Sequence, residues 1–141
     1  MIRELYASDI YNLIPLCKEH FKAVHMEERL YSFDEDVARA TLNNMVANKC
    51  YKSFVIADNG VVQGIISFIV CSSPFGKQIV ASEFLWYAKD PKNFIRLWDY
   101  AIMNIKADVF HVGIPLDMTV RKFLERRGFS LKSLIYSKEV S

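Results

Sequence analysis

The order of apolar and polar positions predicts a strand and two helices in the first third of the chain. Ile2 to Leu5 is a short strand candidate, and Ser8 is placed to cap the helix that follows. The apolar residues of this helix recur at the i, i+3, i+4, i+7 spacing of a core-facing stripe: Ile10, Leu13, Ile14, Cys17, Phe21 and Val24. Ser32-Phe33-Asp34-Glu35 has the spacing of a capping box and opens a second helix that runs to about Asn48. Its predicted inward positions are Val37, Ala38, Leu42 and Met45.

The middle of the chain has the period of β-strands. Ser53 to Ala57 is a strand, Asn59-Gly60 is a two-residue hairpin turn, and Val61 to Cys71 is the return strand. A second turn from Ser72 to Lys77 leads to another strand, Ile79 to Ala88. These elements predict a three-stranded antiparallel meander.

Strands and helices alternate in the last third. Asp90 or Asn93 is placed to cap a helix from about Phe94 to Lys106, and Val109 to Ile114 is a strand. A helix then begins at Pro115 with Asp117 and is ended by Gly128, and Ser130 to Lys138 closes the chain with one or two strands. The predicted order is β-α-α-β-β-β-α-β-α-β. It describes an α+β domain, residues 1–141, whose mixed, mainly antiparallel sheet of about six or seven strands is flanked by four helices.

Composition narrows the class of protein. A chain of 141 residues with 52% hydrophobic residues is long enough for one domain with a core, and a net charge of +2 argues against a nucleic-acid coat protein. Three cysteines cannot all pair, which favours a reducing cytoplasm. The longest apolar stretch has 11 residues, too few for a membrane helix, and the first residues lack the pattern of a signal peptide. We therefore expect a cytoplasmic protein with no membrane partner; a homodimer is compatible with the sequence.

Several segments, in order, resemble the GNAT (Gcn5-related N-acetyltransferase) fold. Ile2–Leu5 with Ser8-Asp9-Ile10 is similar to its first strand and helix, and Phe54–Ala57 with Val62–Ile66 is similar to its hairpin. Phe123–Phe129 is similar to the late F-Y-E-x-x-G-F segment. Ala81–Tyr87 and Ile135–Glu139 resemble small GNAT-like proteins of tailed phages and prophages, for which the location would be the host cytoplasm. The resemblance implies transfer of acetyl from acetyl-CoA to an amine, small molecule or protein.

Glu83 is the candidate base. It lies within an apolar strand, and the resemblance matches it to the acidic residue that many GNAT enzymes carry on the fourth strand. A carboxylate in a half-buried groove has a raised pKa, as a base at neutral pH needs. The alternative is an outward-facing strand residue.

The resemblance implies an acetyl-CoA site along the end of the fourth strand and the start of the third helix. The candidate contacts are Trp86, Tyr87, Ala88, Lys92, Asn93, Phe94 and Arg96. The family's pyrophosphate loop has an Arg/Gln-x-x-Gly-x-Gly/Ala pattern, in which glycines let backbone N–H groups approach the phosphates. The chain has only five glycines, and none lies between Gly76 and Gly113. That loop motif is absent, although the pantetheine arm could still pair with the strand backbone.

Other constellations have weaker signals. Leu124 stands where relatives carry a tyrosine that protonates the thiolate; Tyr87, Tyr100 and Tyr136 are the alternatives. The spacing of His20, His25, Glu27 and Glu28 matches no metal motif, so we expect no metal site. Four basic residues cluster near residue 125: Arg121, Lys122, Arg126 and Arg127. They form either a solvated helix face or a contact for the CoA 3′-phosphate. Because no stacking aromatic residues flank the cluster, a nucleic-acid partner is not expected.

Two functions remain in view. The first is a GNAT-type acetyltransferase that uses acetyl-CoA, with Glu83 as base. The second is a catalytically degenerate protein of the same fold that acts as a binding or virion-associated module. The missing glycines and Leu124 favour the second, whereas the whole-chain resemblance and Glu83 favour the first.

Overall fold

The computed structural model describes residues 1–23, 31–113, 118–132, 138 and 140. Their elements, in chain order, are β1 (Ile2–Glu4), α1 (Ile10–Ala23), α2 (Glu35–Ala47), β2 (Tyr51–Asp58), β3 (Val61–Ser72), β4 (Ile79–Ala88), α3 (Pro91–Asn104), β5 (Val109–His111) and α4 (Met118–Arg126). A short 3₁₀ turn, Ala7–Asp9, precedes α1. The predicted order is confirmed from the first strand to the fourth helix.

The start of α1 is held by an aspartate and not by the predicted Ser8, which is exposed. Asp9 accepts two hydrogen bonds from the Arg3 guanidinium, both 2.8 Å long, and one of 2.8 Å from the Tyr6 N–H. The carboxylate satisfies a backbone donor and a cation at once, which a serine hydroxyl cannot do. Arg3 lowers the pKa of Asp9 below its usual value through these bonds, against the opposing effect of burial.

The cap of α2 is also a different residue from the one predicted. Asp34, not Ser32, is the N-cap, and its side chain accepts a hydrogen bond of 3.0 Å from the Val37 N–H. The helix therefore begins two residues later than a serine cap would require. Val37 lies on the outer face with 64% of its surface exposed, whereas Leu42 and Met45 are buried as predicted. Five residues separate Val37 from Leu42, which places the two about 140° apart around the helix.

The sheet has the strand order β1-β2-β3-β4-β5, antiparallel throughout except for the parallel pair of β4 and β5. The predicted hairpin turn joins β2 to β3, with positive φ angles of 50° at Asn59 and 78° at Gly60. Two positive φ angles in a two-residue loop match the twist of the flanking strands. A mixed, mainly antiparallel sheet is confirmed.

The described residues form five strands, fewer than the six or seven predicted. The expected closing strand covered Ser130 to Lys138, but Ser130, Leu131 and Lys132 have no strand structure, and residues 133–137 lie outside the described part of the chain. Of the fifth predicted strand, only Val109–His111 is paired, and Ile114 is not among the described residues.

Helices cover both faces of the sheet, and each face has its own hydrophobic cluster. On the α1/α2 face, buried residues of these two helices pack on β2 and β3. On the α3/α4 face, the centre is aromatic: Phe68, Trp86, Trp98, Phe110 and Phe123 are in ring contact. Leu16 of α1 is buried although it lies outside the predicted stripe.

One glycine is required by close packing between β3 and β4. A Cβ atom built on Gly64 would lie 2.7 Å from the Ala88 Cβ and 2.9 Å from the Tyr87 carbonyl oxygen. Both neighbours belong to the β4 segment that carries most of the predicted site. Only glycine lets β3 lie against this segment without displacing it.

Candidate functional site at the divergence of two strands

The parallel strands β4 and β5 pair over only three residues. Val80 lies opposite Val109, Ala81 opposite Phe110 and Ser82 opposite His111. From Glu83 to Ala88, β4 has no β5 partner within the described residues, because β5 ends at His111. We call these six residues the open segment of β4. Within the described residues, no strand pairs with the open segment on its β5 side.

A β-bulge at the start of the open segment sets the direction of its side chains. Phe68 of β3 lies opposite Glu83, whereas the preceding Ser67 lies opposite Leu85, so Phe84 is the extra residue. Leu85 packs against the α1/α2 cluster, and the Phe84 ring contacts Tyr51 on the same face, with centroids 5.4 Å apart. Glu83 precedes the bulge and keeps the register of the earlier β4 residues, so it is paired with Phe68 of the aromatic cluster on the opposite face.

Glu83 is thus the first residue after the divergence, and its carboxyl group is largely buried there. Burial raises its pKa from 4.5 to about 7, while a hydrogen bond from the Gly113 N–H, just beyond β5, acts in the opposite direction. Desolvation disfavours the charged form, and the backbone donor favours it. The outcome is a carboxyl group poised near neutral pH, which is the range that suits a general base.

The predicted cofactor contacts divide into buried and exposed sets. Trp86 is buried, its ring is stacked on Phe94 with centroids 3.8 Å apart, and its Nε1 donates a hydrogen bond of 3.0 Å to the Phe94 carbonyl oxygen. Ala88 is buried as well. The side chains of Trp86, Ala88 and Phe94 are therefore core residues, and main-chain groups are what the strand residues can offer a ligand.

Tyr87 lies on the α1/α2 face beside the end of α1. Its hydroxyl donates a hydrogen bond of 3.4 Å to Glu19, whose other oxygen is 3.8 Å from the Lys89 ammonium. Burial and the nearby Glu19 carboxylate raise the pKa of Tyr87. The His20 ring lies 5.4 Å from the Tyr87 ring, its Nδ1 is buried without a hydrogen-bond partner, and burial lowers its pKa to about 4. From the sequence, His20 was a candidate only for a metal ligand, and its burial as a neutral side chain was not predicted.

The start of α3 holds the remaining predicted contacts. Asn93 and Arg96 border a groove of about 430 Å³, together with Asp58 and Asp90, while Lys92 is exposed. Arg96 Nη1 is 3.4 Å from the Asn93 side-chain oxygen. The structure therefore brings Asn93 and Arg96 together, in a groove that does not include Glu83.

The cap of α3 is Asp90, not Asn93, and the helix begins at Pro91, three residues earlier than predicted. Proline suits the first helical position because its missing N–H would have no helical partner there. Only Lys89 and Asp90 connect β4 to α3. The sequence lacks the glycine pattern of the pyrophosphate loop, and this two-residue connection is also too short to form such a loop.

The remaining predicted groups are scattered. Leu124 is buried in the aromatic cluster, and Tyr100 packs edge-on against Phe54 with centroids 5.1 Å apart. Asp117, Tyr136 and the His25, Glu27 and Glu28 set lie outside the described residues. Among the residues that the structure describes, no three metal-ligating side chains cluster.

The basic residues of α4 are partly neutralised. Arg121 pairs with Glu125 at 3.2 Å, and Arg127 lies 3.8 Å from Asp99 with its guanidinium 3.7 Å from the Phe123 ring centre. Lys122 and Arg126 are exposed. No helix in the described part of the chain has the length and apolar character that crossing a membrane requires.

Comparison with known proteins identifies the fold. No protein-family model matches the chain, and no curated protein matches it significantly. Among solved structures, a Bacillus halodurans protein superposes with a TM-score of 0.83 at 11% identity, covering 100% of this chain and 99% of that one. A predicted acetyltransferase with acetyl-CoA from Clostridium acetobutylicum gives 0.70 at 14% identity, covering 99% and 95%. A GNAT family acetyltransferase from Staphylococcus aureus gives 0.69 at 12%, covering 99% and 98%. The chain shares its fold with these structures over 99–100% of its length.

Proposed function

We propose that the protein is a GNAT-type N-acetyltransferase that transfers acetyl from acetyl-CoA to an amine, with Glu83 as the general base. The observation that carries the proposal is the buried Glu83 carboxyl group, with a pKa of about 7, at the divergence of β4 and β5. The fold shared with structures of acetyltransferases, one of them with acetyl-CoA, supports it.

The chemistry follows from what an ammonium acceptor needs. Glu83 takes one proton from the ammonium group, and the freed nitrogen lone pair attacks the thioester carbonyl carbon. A C–N bond forms and the C–S bond breaks, and the nitrogen loses its second proton, which ends on the departing thiolate. The products are the acetamide, the free thiol and one proton that Glu83 releases to solvent, so atoms and charge balance.

The Gly113 N–H contributes to the same step. It donates a hydrogen bond to the Glu83 carboxyl group and stabilises the ionised form. Without this donor, burial would raise the pKa of the group further.

The test compares two glutamate variants. Glu83→Gln keeps the shape and the ability to accept the Gly113 bond but cannot take a proton, and Glu125→Gln removes an exposed carboxylate of α4. Thiol release from acetyl-CoA is measured with a panel of primary amines (spermidine, lysine and a peptide with a free N-terminus). We expect Glu83→Gln to lower kcat/KM by about 100-fold or more and Glu125→Gln to leave it unchanged.

Two results would contradict the proposal. Calorimetric titration with millimolar acetyl-CoA that shows no binding excludes the donor. A Glu83→Gln variant as active as the wild type excludes the base.

A binding protein of the same fold is the second candidate, and one observation favours it: α3 starts directly after β4, without a loop that could enclose phosphates. Such a protein would bind the donor or an acceptor without turnover. Tight binding of acetyl-CoA with no thiol release in the presence of the whole amine panel would favour this candidate.

A further inference from the structure

The open segment of β4 is an edge that an extended ligand can pair with. Its six residues, Glu83 to Ala88, span five Cα steps, or about 17 Å at about 3.3 Å per step. Every second residue of such an edge directs its N–H and C=O away from the neighbouring strand, here β3. A ligand with amide groups can pair with this edge as an added strand would. The pantetheine portion of an acyl thioester carries two amides.

The geometry sets the direction in which the ligand must lie. The reacting thioester belongs next to Glu83, and β5 occupies the edge of β4 before that residue, from Val80 to Ser82. The rest of the ligand can therefore extend only along the open segment towards Ala88. Its far end then reaches the start of α3, which begins three residues after Ala88.

Three backbone donors at this point have partners inside the protein. The Lys89 N–H donates to the Gln63 carbonyl oxygen at 3.2 Å. Pro91 has no N–H, the Lys92 N–H donates to the Asp90 side chain at 2.8 Å, and the Phe94 N–H donates to the Asp90 carbonyl oxygen at 3.0 Å. A phosphate group binds at a helix start through such N–H groups, and those of Lys92 and Phe94 are occupied here.

The charges at the same point are also unsuited to an anion. The Asp90 carboxylate is fixed over the first turn of α3, where a phosphate would otherwise lie. The Lys89 ammonium is paired with Glu19 at 3.8 Å. Lys92 and Arg96 are exposed on the surface, and Arg96 borders a groove that also contains Asp58 and Asp90. Exposed cations of this kind contribute little to binding.

We infer that the thioester donor is recognised through its acyl-pantetheine portion alone, without a contribution from a nucleotide diphosphate; this inference rests on the proposed function. Acetyl-CoA then serves as a donor because it contains this portion, and its pyrophosphate stays in solvent. A pantetheine arm carried on another protein has the same chemistry and is a second source of the thioester.

The test uses three donors and the intact protein. Acetyl-CoA, acetyl-dephospho-CoA and acetyl-pantetheine are titrated calorimetrically and used as donors in the thiol-release assay. The last two differ by the nucleotide diphosphate, and the first two differ by the 3′-phosphate, which the basic residues of α4 could contact. We expect the Kd values of acetyl-dephospho-CoA and acetyl-pantetheine to agree within about threefold. Lys92→Gln is expected to change both by less than about twofold.

The outcomes separate this inference from the proposed function. Binding of acetyl-dephospho-CoA about 30-fold or more tighter than acetyl-pantetheine overturns the inference and leaves the acetyltransferase intact. Failure of all three donors to bind overturns the proposed function as well.

A fourth donor distinguishes the two sources of the thioester. An acetylated pantetheine arm on a carrier protein is compared with acetyl-pantetheine at equal concentration. Faster transfer from the carrier protein identifies a protein-borne donor, and equal rates identify a free one. If the protein uses acetyl-CoA but accepts neither acetyl-pantetheine nor the carrier-bound donor, the inference is contradicted.

Discussion

Replacing Glu83 by glutamine tests the burial on which the proposed base depends. Folding raises the pKa of the carboxyl group from 4.5 to about 7, so the folded protein binds this proton more tightly than the unfolded chain does. The ionised group therefore destabilises the fold, and this cost grows as the pH rises from 4.5 to 7 and is constant above that. Glutamine carries no such cost.

The magnitude follows from the size of the pKa difference. Each tenfold change in a protonation constant corresponds to about 1.4 kcal/mol. A rise from 4.5 to about 7 thus makes the Glu83→Gln variant about 3 kcal/mol more stable, relative to wild type, at pH 8 than at pH 4. Because glutamine retains the shape of the side chain, packing contributes little to this pH-dependent part.

The assay must compare the two proteins, because wild-type stability alone does not isolate Glu83. Burial lowers the pKa of His20 to about 4, so its contribution to stability rises with pH over nearly the same range and opposes that of Glu83. Urea unfolding of both proteins at half-unit steps from pH 4 to pH 8 yields the difference in unfolding free energy, from which His20 cancels. A difference that is constant with pH would refute a buried Glu83 and, with it, a base poised near neutrality.

Three further changes test packing, capping and burial. In Gly64→Ala the new Cβ would meet the β4 backbone, and we expect the free energy of unfolding, measured by thermal unfolding, to fall by about 1–3 kcal/mol. In the Gly76→Ala control the new Cβ meets only a flexible side-chain end. Asp34→Ala is expected to cost about 1 kcal/mol in urea unfolding, and Ser32→Ala close to nothing; the reverse order would contradict the observed cap. His20→Phe removes a buried nitrogen without a partner and is expected to raise stability by about 1 kcal/mol, more at pH 5 than at pH 7; a loss at pH 7 would show that the nitrogen is satisfied.

Local pattern predicted most of the secondary structure because the forces that select helices and turns act between near neighbours. The hairpin at Asn59-Gly60 formed as expected, since two positive φ angles are most readily met by these residue types. The caps were predicted less well. Ser8 and Ser32 are each a good cap by type, but a nearby aspartate holds the position in the fold. For α3 the sequence left two candidates, and Asp90, not Asn93, is the cap.

The sequence predicted the candidate site less completely than it predicted the secondary structure. Missing glycines between Gly76 and Gly113 indicated that the phosphate loop was absent, and the two-residue connection after Ala88 agrees with it. The sequence predicted Trp86 as a cofactor contact and not as a core residue stacked on Phe94, since an aromatic residue at a strand end has the same pattern whether it faces a ligand or a helix.

The sequence by itself determined which segments become strands and helices, because periodicity and turn chemistry are properties of short stretches of chain. It also determined that this chain has no glycine-rich pyrophosphate loop between Gly76 and Gly113. Only the tertiary structure decided the environment of Glu83. Pairing with Phe68 directs the side chain to the aromatic face, β5 ends beside it at His111, and the N–H of Gly113, thirty residues along the chain, lowers the pKa that burial raises. A pKa depends on desolvation and on charges from every element nearby, so it is fixed only when distant segments come together.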